Sequence, residues 1–165
     1  MALQQHNKVL GIDPGIERLG WGVVQKTPTG FARLDSGVFK TQKTLPQEKR
    51  LAAIYHFLKK LLVKIKPDVV GIEKLFFATN AKTAITIGEV RGVILLAAAE
   101  YGANIKEFAP LQVKMAVCGD GKADKKRVAA MLRYSIALPN RALLDDETDA
   151  LAIALTTLVH NPNLL

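Results

Sequence analysis

The sequence predicts an α/β domain built on a five-stranded mixed sheet flanked by helices. Two observations carry this prediction. Short apolar bursts punctuated by turn residues fill the early part of the chain, and a three-and-four spacing of apolar residues replaces them from Gln47 onward. After that change, short bursts alternate with helical stretches. Strands joined by a few residues read as an antiparallel meander, whereas strands separated by whole helices should lie parallel to their neighbours. The chain has 165 residues, 49% of them apolar, so it can bury a core of its own and is not a disordered tail. No internal repeat, linker or low-complexity stretch divides it, and residues 1–165 are read as a single domain.

Val9–Asp13 is the first apolar run, and Pro14-Gly15 turns it. Leu19–Val24 and Phe31–Phe39 follow, with Pro28–Gly30 between them, completing the meander. From Gln47 to Ile65, Leu51, Ile54, Leu58, Leu61, Leu62 and Ile65 form the stripe of an amphipathic helix that Pro67 ends. Asp68–Glu73 is a strand with Val69, Val70 and Ile72 at its heart. Ala81–Tyr101 is a long helix rich in Ala, Ile, Leu and Val, with Asn80 as its cap. Asn104–Phe108 is the last strand. A short helix covers Leu111–Val117, a loop Gly119–Lys122, a basic helix Asp124–Tyr134, and a final helix Asp146–His160.

Charge narrows the function. Lys and Arg number 23 against 15 Asp and Glu, a formal net charge of +8 that suits a polyanionic partner. The apolar runs fall far short of the roughly 20 residues that span a bilayer, so no membrane association is expected. Met1–Lys8 is polar, without the apolar stretch of a secretory leader, and a cytoplasmic location is expected. The single cysteine, Cys118, excludes internal disulfides and reads as a small core residue. His6, His56 and His160 lack metal-ligand spacing, and no Gly-x-Ser-x-Gly nucleophile motif occurs.

The acidic residues are placed unlike solubilising charge. Asp13 and Glu73 each close an apolar strand. If those strands are parallel neighbours, both carboxylates emerge at the sheet end where α/β sites form. Asp146 and Asp149, three apart at the start of the last helix, share a face. Individually, a turn-forming Asp, a solvated strand-end Glu and acids opposing a helix dipole explain each of them. Converging, they make a site for hard divalent cations, which take oxygen ligands and can assist phosphodiester cleavage in pairs. Basic groups concentrate at Lys122, Lys125, Lys126 and Arg127, with Lys114 before them and Lys82 and Arg91 on the long helix. Such a surface suits phosphate, though a solvated helix face is the usual fate of a charge run. Phe76 and Phe77 follow Glu73 in a loop-like segment, where one can stack on or wedge between bases while the other joins the core.

These residues resemble the bacterial RuvC family of Holliday junction resolvases. The likeness runs through Gly11-Ile12-Asp13-Pro14-Gly15, Gly20-Trp21-Gly22-Val23, Ile72-Glu73-Lys74-Leu75-Phe76-Phe77-Ala78-Thr79-Asn80 and Gly88-Glu89-Val90-Arg91-Gly92-Val93. It continues at Gln112-Val113-Lys114, Gly119–Lys125 and Asp146-Glu147-Thr148-Asp149-Ala150-Leu151-Ala152. The resemblance implies a ribonuclease H-like fold, a homodimer, and symmetric magnesium-dependent nicking of four-way junction DNA in recombination and repair. It further implies a branch-migration motor complex as partner. Asp13, Glu73, Asp146 and Asp149 correspond to the family's catalytic, metal-holding carboxylates, with two Mg2+ ions per site and Mn2+ as a substitute. Lys114 corresponds to a catalytic lysine. Phe76, Phe77, Asn80, Lys82, Arg91, Lys114, Lys122, Lys125 and Lys126 are the expected DNA contacts. Some relatives carry His where Asp146 stands, so an all-carboxylate site is expected here, with Asp145 and Glu147 as acidic neighbours. The helix Ala81–Tyr101 is the expected dimer interface. A ribonuclease H-like nuclease acting on RNA–DNA hybrids, or a junction binder without catalysis, are the rival functions.

Overall fold

The computed structural model describes residues 8–74 and 81–161, and the side chains of residues 81 and 82 are outside that description. The expected cap Asn80 and the pair Phe76 and Phe77 therefore lie outside the described residues, as does the side chain of Lys82.

Strands β1 (Lys8–Asp13), β2 (Arg18–Thr27) and β3 (Gly30–Lys40) form the meander. Then come α1 (Gln47–Ile65), β4 (Val69–Glu73), α2 (Ala81–Tyr101) and β5 (Asn104–Phe108). The chain closes with α3 (Pro110–Cys118), α4 (Lys125–Ser135) and α5 (Asp145–Val159). The sheet order is β3-β2-β1-β4-β5. Pairs β1–β2 and β2–β3 are antiparallel, while β1–β4 and β4–β5 are parallel, giving the mixed sheet expected from the connections. Among the described residues no helix is long and apolar enough to cross a membrane.

Alternation along each strand divides the core in two. Leu10, Ile12, Val70 and Ile72 pack against α1 and α2 on one face. Val9, Val24 and Val69 pack against α3, α4 and α5 on the other. On that second face the period of two also places Gly11 and Asp13 after Val9, and Gly71 and Glu73 after Val69. Gly22, Gly11 and Gly71 stand side by side on β2, β1 and β4. This glycine row is the bed of α5. A Cβ at Gly11 would fall 2.2 Å from the Ala150 carbonyl oxygen, and one at Gly71 would fall 2.1 Å from Thr157 Oγ1. The helix is buried from Ala150 to Leu158, so its apolar character extends round the helix rather than forming a stripe. Its first turn, beyond the glycine row, overhangs the strand ends that carry Asp13 and Glu73.

The observed start of α5 is Asp145, one residue before the expected one, with Leu144 extended before it. Cys118 is only partly buried and packs at the margin of the α5-side core. His160 stacks obliquely on Phe108 at 5.6 Å, with its ring nitrogen 3.1 Å from the Thr156 carbonyl, as befits a helix-end residue.

Candidate active site

The register between β1 and β4 pairs Ile12 with Ile72, so Asp13 and Glu73 leave the sheet side by side at the same end. Both point to the α5 side. A cleft of about 240 Å³ opens there, lined by Asp13, Glu73, Asp149, Lys114 and Lys125 over an apolar floor that includes Val113 and Val128. Five elements thus deliver charge to one place: the ends of β1 and β4, the start of α5, and α3 and α4 with one lysine each.

Electrostatics marks Asp13 as the centre. Its pKa is pushed from 3.8 up to about 8, first by burial, then by the negative charges of Asp149, Glu73 and Asp146, with Lys125 opposing. Burial and the charge of Asp149 also raise Glu73, against Lys125 and Lys114. With its pKa at about 8, Asp13 keeps its proton at neutral pH unless a cation is supplied.

The two acids of α5 are already engaged. Lys125 Nζ donates to Asp149 Oδ2 at 3.0 Å, and that bond holds the lysine above its ordinary pKa. Arg18 Nε stands 3.0 Å from Asp146 Oδ2, yet outside hydrogen-bonding geometry, so this buried carboxylate oxygen has no donor. Among the described residues, no three His, Cys, Asp or Glu side chains stand close enough to hold a metal ion as they are. The donor set nevertheless fits a hard divalent cation. It is all oxygen, it contains a buried carboxylate oxygen of Asp146 that no donor serves, and burial and mutual repulsion raise the pKa of both Asp13 and Glu73. Side-chain rotation of Asp146 and Asp149 away from their cations is what ligation would require.

Glu147 belongs to a different structure. It is 2% exposed, and Arg141 grips it in a two-pronged fork at 2.9 and 2.6 Å while Ser36 Oγ donates to it at 2.6 Å. Burial would raise its pKa, but the bonds from Arg141 and Ser36 outweigh that and hold it below the ordinary range. Arg33 Nε in turn donates to Ser36 Oγ at 2.6 Å. This network ties the start of α5 to β3, opposite the cleft, and leaves Glu147 no free oxygen for metal. Asp145 is exposed and lines a smaller recess with Lys125, Arg133 and Thr148.

The basic residues divide. Lys114 and Lys125 face the cleft, whereas Lys122 and Lys126 are exposed on the preceding loop and on α4 without lining it. Arg91 is turned inward. Its guanidinium bonds the Glu73 carbonyl oxygen at 3.1 Å and Glu107 Oε1 at 2.6 Å, and its side chain is 16% exposed. Sequence reasoning missed Arg18, Arg141 and Ser36. The only signal for Arg18 was its place at the start of β2, which an antiparallel meander returns to the Asp13 end.

The sequence matches the family model described as crossover junction endodeoxyribonuclease RuvC over residues 9–157. The chain belongs to the RuvC family. Relatives of that name are 43% identical in a Roseiflexus species over 90% of this chain and 88% of theirs, and 40% identical in Chloroflexus aggregans over 95% and 96%. The RuvC structure from Thermus thermophilus superposes with a TM-score of 0.82 at 36% identity, covering 90% of this chain and 92% of that one. The same protein in complex with Holliday junction substrate gives 0.85 at 38%, covering 92% of each. The fold is accordingly ribonuclease H-like, as these RuvC structures are.

Proposed function

We propose that this protein resolves four-way DNA junctions as an endonuclease, hydrolysing a phosphodiester at the carboxylate cleft with divalent-metal assistance. The observation that carries it is the convergence of Asp13, Glu73 and Asp149 with Lys114 and Lys125 in one cleft of a chain with net charge +8. A relative of 38% identity forms a complex with a Holliday junction, which supports the junction as substrate.

Asp13, Glu73, Asp146 and Asp149 would hold the metal, Mg2+ in two copies with Mn2+ as a substitute. Bound there, the metal supplies an activated water and neutralises charge developing on the phosphate. Lys114 and Lys125 orient the scissile phosphate and oppose that charge. Lys125, bonded to Asp149 in this structure, would be available to the substrate phosphate if Asp149 served as a metal ligand. Lys122 and Lys126, exposed beside the cleft, extend the track for the phosphate backbone, and Phe76, Phe77, Asn80 and Lys82 would also contact the junction.

A symmetric junction suits a homodimer. The outer face of α2 supports one, because Ile85, Gly88, Gly92 and Leu96 are all exposed and a Cβ at either glycine would meet nothing among the described residues. Glycine within a helix costs about 0.5–1 kcal/mol relative to alanine, and nothing among the described residues of the protomer accounts for it. Leu96→Glu is expected to convert a dimer to monomers in sedimentation velocity without lowering the melting temperature of the protomer by more than a few degrees. Junctions would be delivered by a branch-migration motor complex in the cytoplasm.

Nicking of a synthetic four-way junction in Mg2+, compared with an RNA–DNA hybrid of the same sequence, tests the function. Paired nicks in the junction are expected. Preferential cleavage of the hybrid would replace the resolvase with a hybrid-specific nuclease.

A further inference from the structure

Pairing between β1 and β4 stops at Ile12 and Ile72, one residue short of each catalytic candidate. The gap between Asp13 and Glu73 is therefore set by whatever holds each residue beyond the ladder. On the β5 side, Lys74 N donates to the Phe108 carbonyl at 2.8 Å, which carries the end of β4 with β5. Something must in turn hold that pair of strand ends. Arg91 is placed to do so. From α2 it reaches the face of the sheet opposite the cleft, where one guanidinium nitrogen bonds the Glu73 carbonyl and another pairs with Glu107 of β5. Glu107 lies opposite Ile72 in the β4–β5 register. One side chain thus binds the backbone that carries Glu73 and the strand next to it.

We infer that Arg91 is the positioning residue for Glu73, fixing its backbone from behind so that its carboxylate meets Asp13 at the metal site. This inference rests on the nuclease reading above, and it assigns Arg91 a role different from the DNA contact expected of it. Two features support the inward role. At 16% exposure the side chain presents little to a phosphate, and both of its engaged nitrogens serve the strand ends. Arginine is also the chemically required residue. Its rigid planar fork serves two acceptors in different directions at once, whereas a lysine ammonium on a flexible stem holds them less firmly. Helix α2 then carries the proposed dimer contact on its outer face and the anchor of Glu73 on its inner one.

The test uses full-length Arg91→Lys, Arg91→Gln and Glu107→Gln proteins, each checked for a cooperative melt. Mn2+ affinity of the DNA-free protein is read by calorimetry, junction affinity is measured across a salt series, and single-turnover nicking rates are measured at saturating protein. Arg91→Lys and Arg91→Gln are expected to weaken Mn2+ binding at least fivefold and slow nicking tenfold or more. Their junction affinity and its salt dependence should stay within twofold of the parent. Glu107→Gln keeps an acceptor for the fork and should retain most of both properties. A fivefold or greater loss of junction affinity with a shallower salt slope would overturn the inference and make Arg91 a phosphate contact. Unchanged Mn2+ affinity in folded Arg91→Lys and Arg91→Gln would overturn it as well. The Mn2+ measurement requires no nicking, so it judges Arg91 even if the junction proves not to be the substrate.

Discussion

Asp13→Asn is expected to abolish junction nicking, by about a thousandfold or more, while leaving junction affinity within a few fold of the parent. The amide keeps the shape of the carboxylate and removes its charge, which at this position is the one the other three acids surround. DNA affinity comes from the lysines and the basic surface, and loss of a negative charge beside them does not weaken attraction for phosphate. The same substitution has a second, opposite effect on stability. In the folded protein the Asp13 pKa is raised to about 8 from 3.8, so the folded state binds this proton more tightly than the unfolded chain does. The resulting stabilisation is complete below about pH 4 and is lost as pH rises towards and through 8. With chelator present, the parent should therefore melt at lower temperature at pH 9 than at pH 6. Asp13→Asn should lack that slope and melt higher than the parent at pH 9, by on the order of 5 °C or more. Added Mn2+ should raise the parent's melting temperature at pH 9 and leave the variant nearly unmoved. Melting curves with and without Mn2+, alongside a junction-nicking assay, read all of this. Retained nicking in the variant would remove Asp13 from the chemistry.

The strand ends were readable because an acidic residue closing a short apolar run is conspicuous in either strand, whereas the parallel adjacency of β1 and β4, only a condition in the sequence, comes from the observed register. Which acids of the last helix face the cleft was not readable in the same way. Asp145, Asp146 and Glu147 are consecutive, so the choice depends on how α5 is rotated about its axis. That rotation is set by the glycine row of β2, β1 and β4, a tertiary feature assembled from three separated strands. With the helix seated there, Glu147 turns to Arg141 and Ser36, while the fields of Asp146 and Asp149 fall on Asp13. The inward bonds of Arg91 to the Glu73 carbonyl and to Glu107 were not readable for a related reason. On a long helix with apolar residues on several sides, sequence spacing does not separate a surface arginine from one reaching the end of a neighbouring strand. Arg18 required the β1–β2 register, which pairs Asp13 with Gly20 and so brings the start of β2 alongside the site.

Gly11→Val should leave no cooperatively folded protein, and Gly11→Ala should cost about 3 kcal/mol or more of stability. The obstacle at Gly11 is main chain. A Cβ there would lie 2.2 Å from the Ala150 carbonyl oxygen and 2.5 Å from the Ala154 nitrogen, and neither can swing aside as a side-chain tip would. Relief requires α5 to lift off the sheet, which opens the core beneath a helix buried from Ala150 to Leu158. Lifting also withdraws the first turn. At Gly20 the sheet already touches that turn so closely that a Cβ would meet the Asp146 carbonyl oxygen at 1.9 Å. Any Gly11→Ala protein that folds should therefore nick far more slowly than its loss of stability explains, because Asp146 and Asp149 retreat from Asp13. Gly92→Ala is the control. Nothing among the described residues lies within 4 Å of a Cβ at Gly92, so the added methyl should leave the protomer's fold unharmed or stabilise it by about 0.5–1 kcal/mol through helix propensity. Urea unfolding followed by circular dichroism separates the two substitutions. An unchanged midpoint in Gly11→Ala would mean that α5 does not rest on the sheet backbone, and the placement of Asp146 and Asp149 would fall with it.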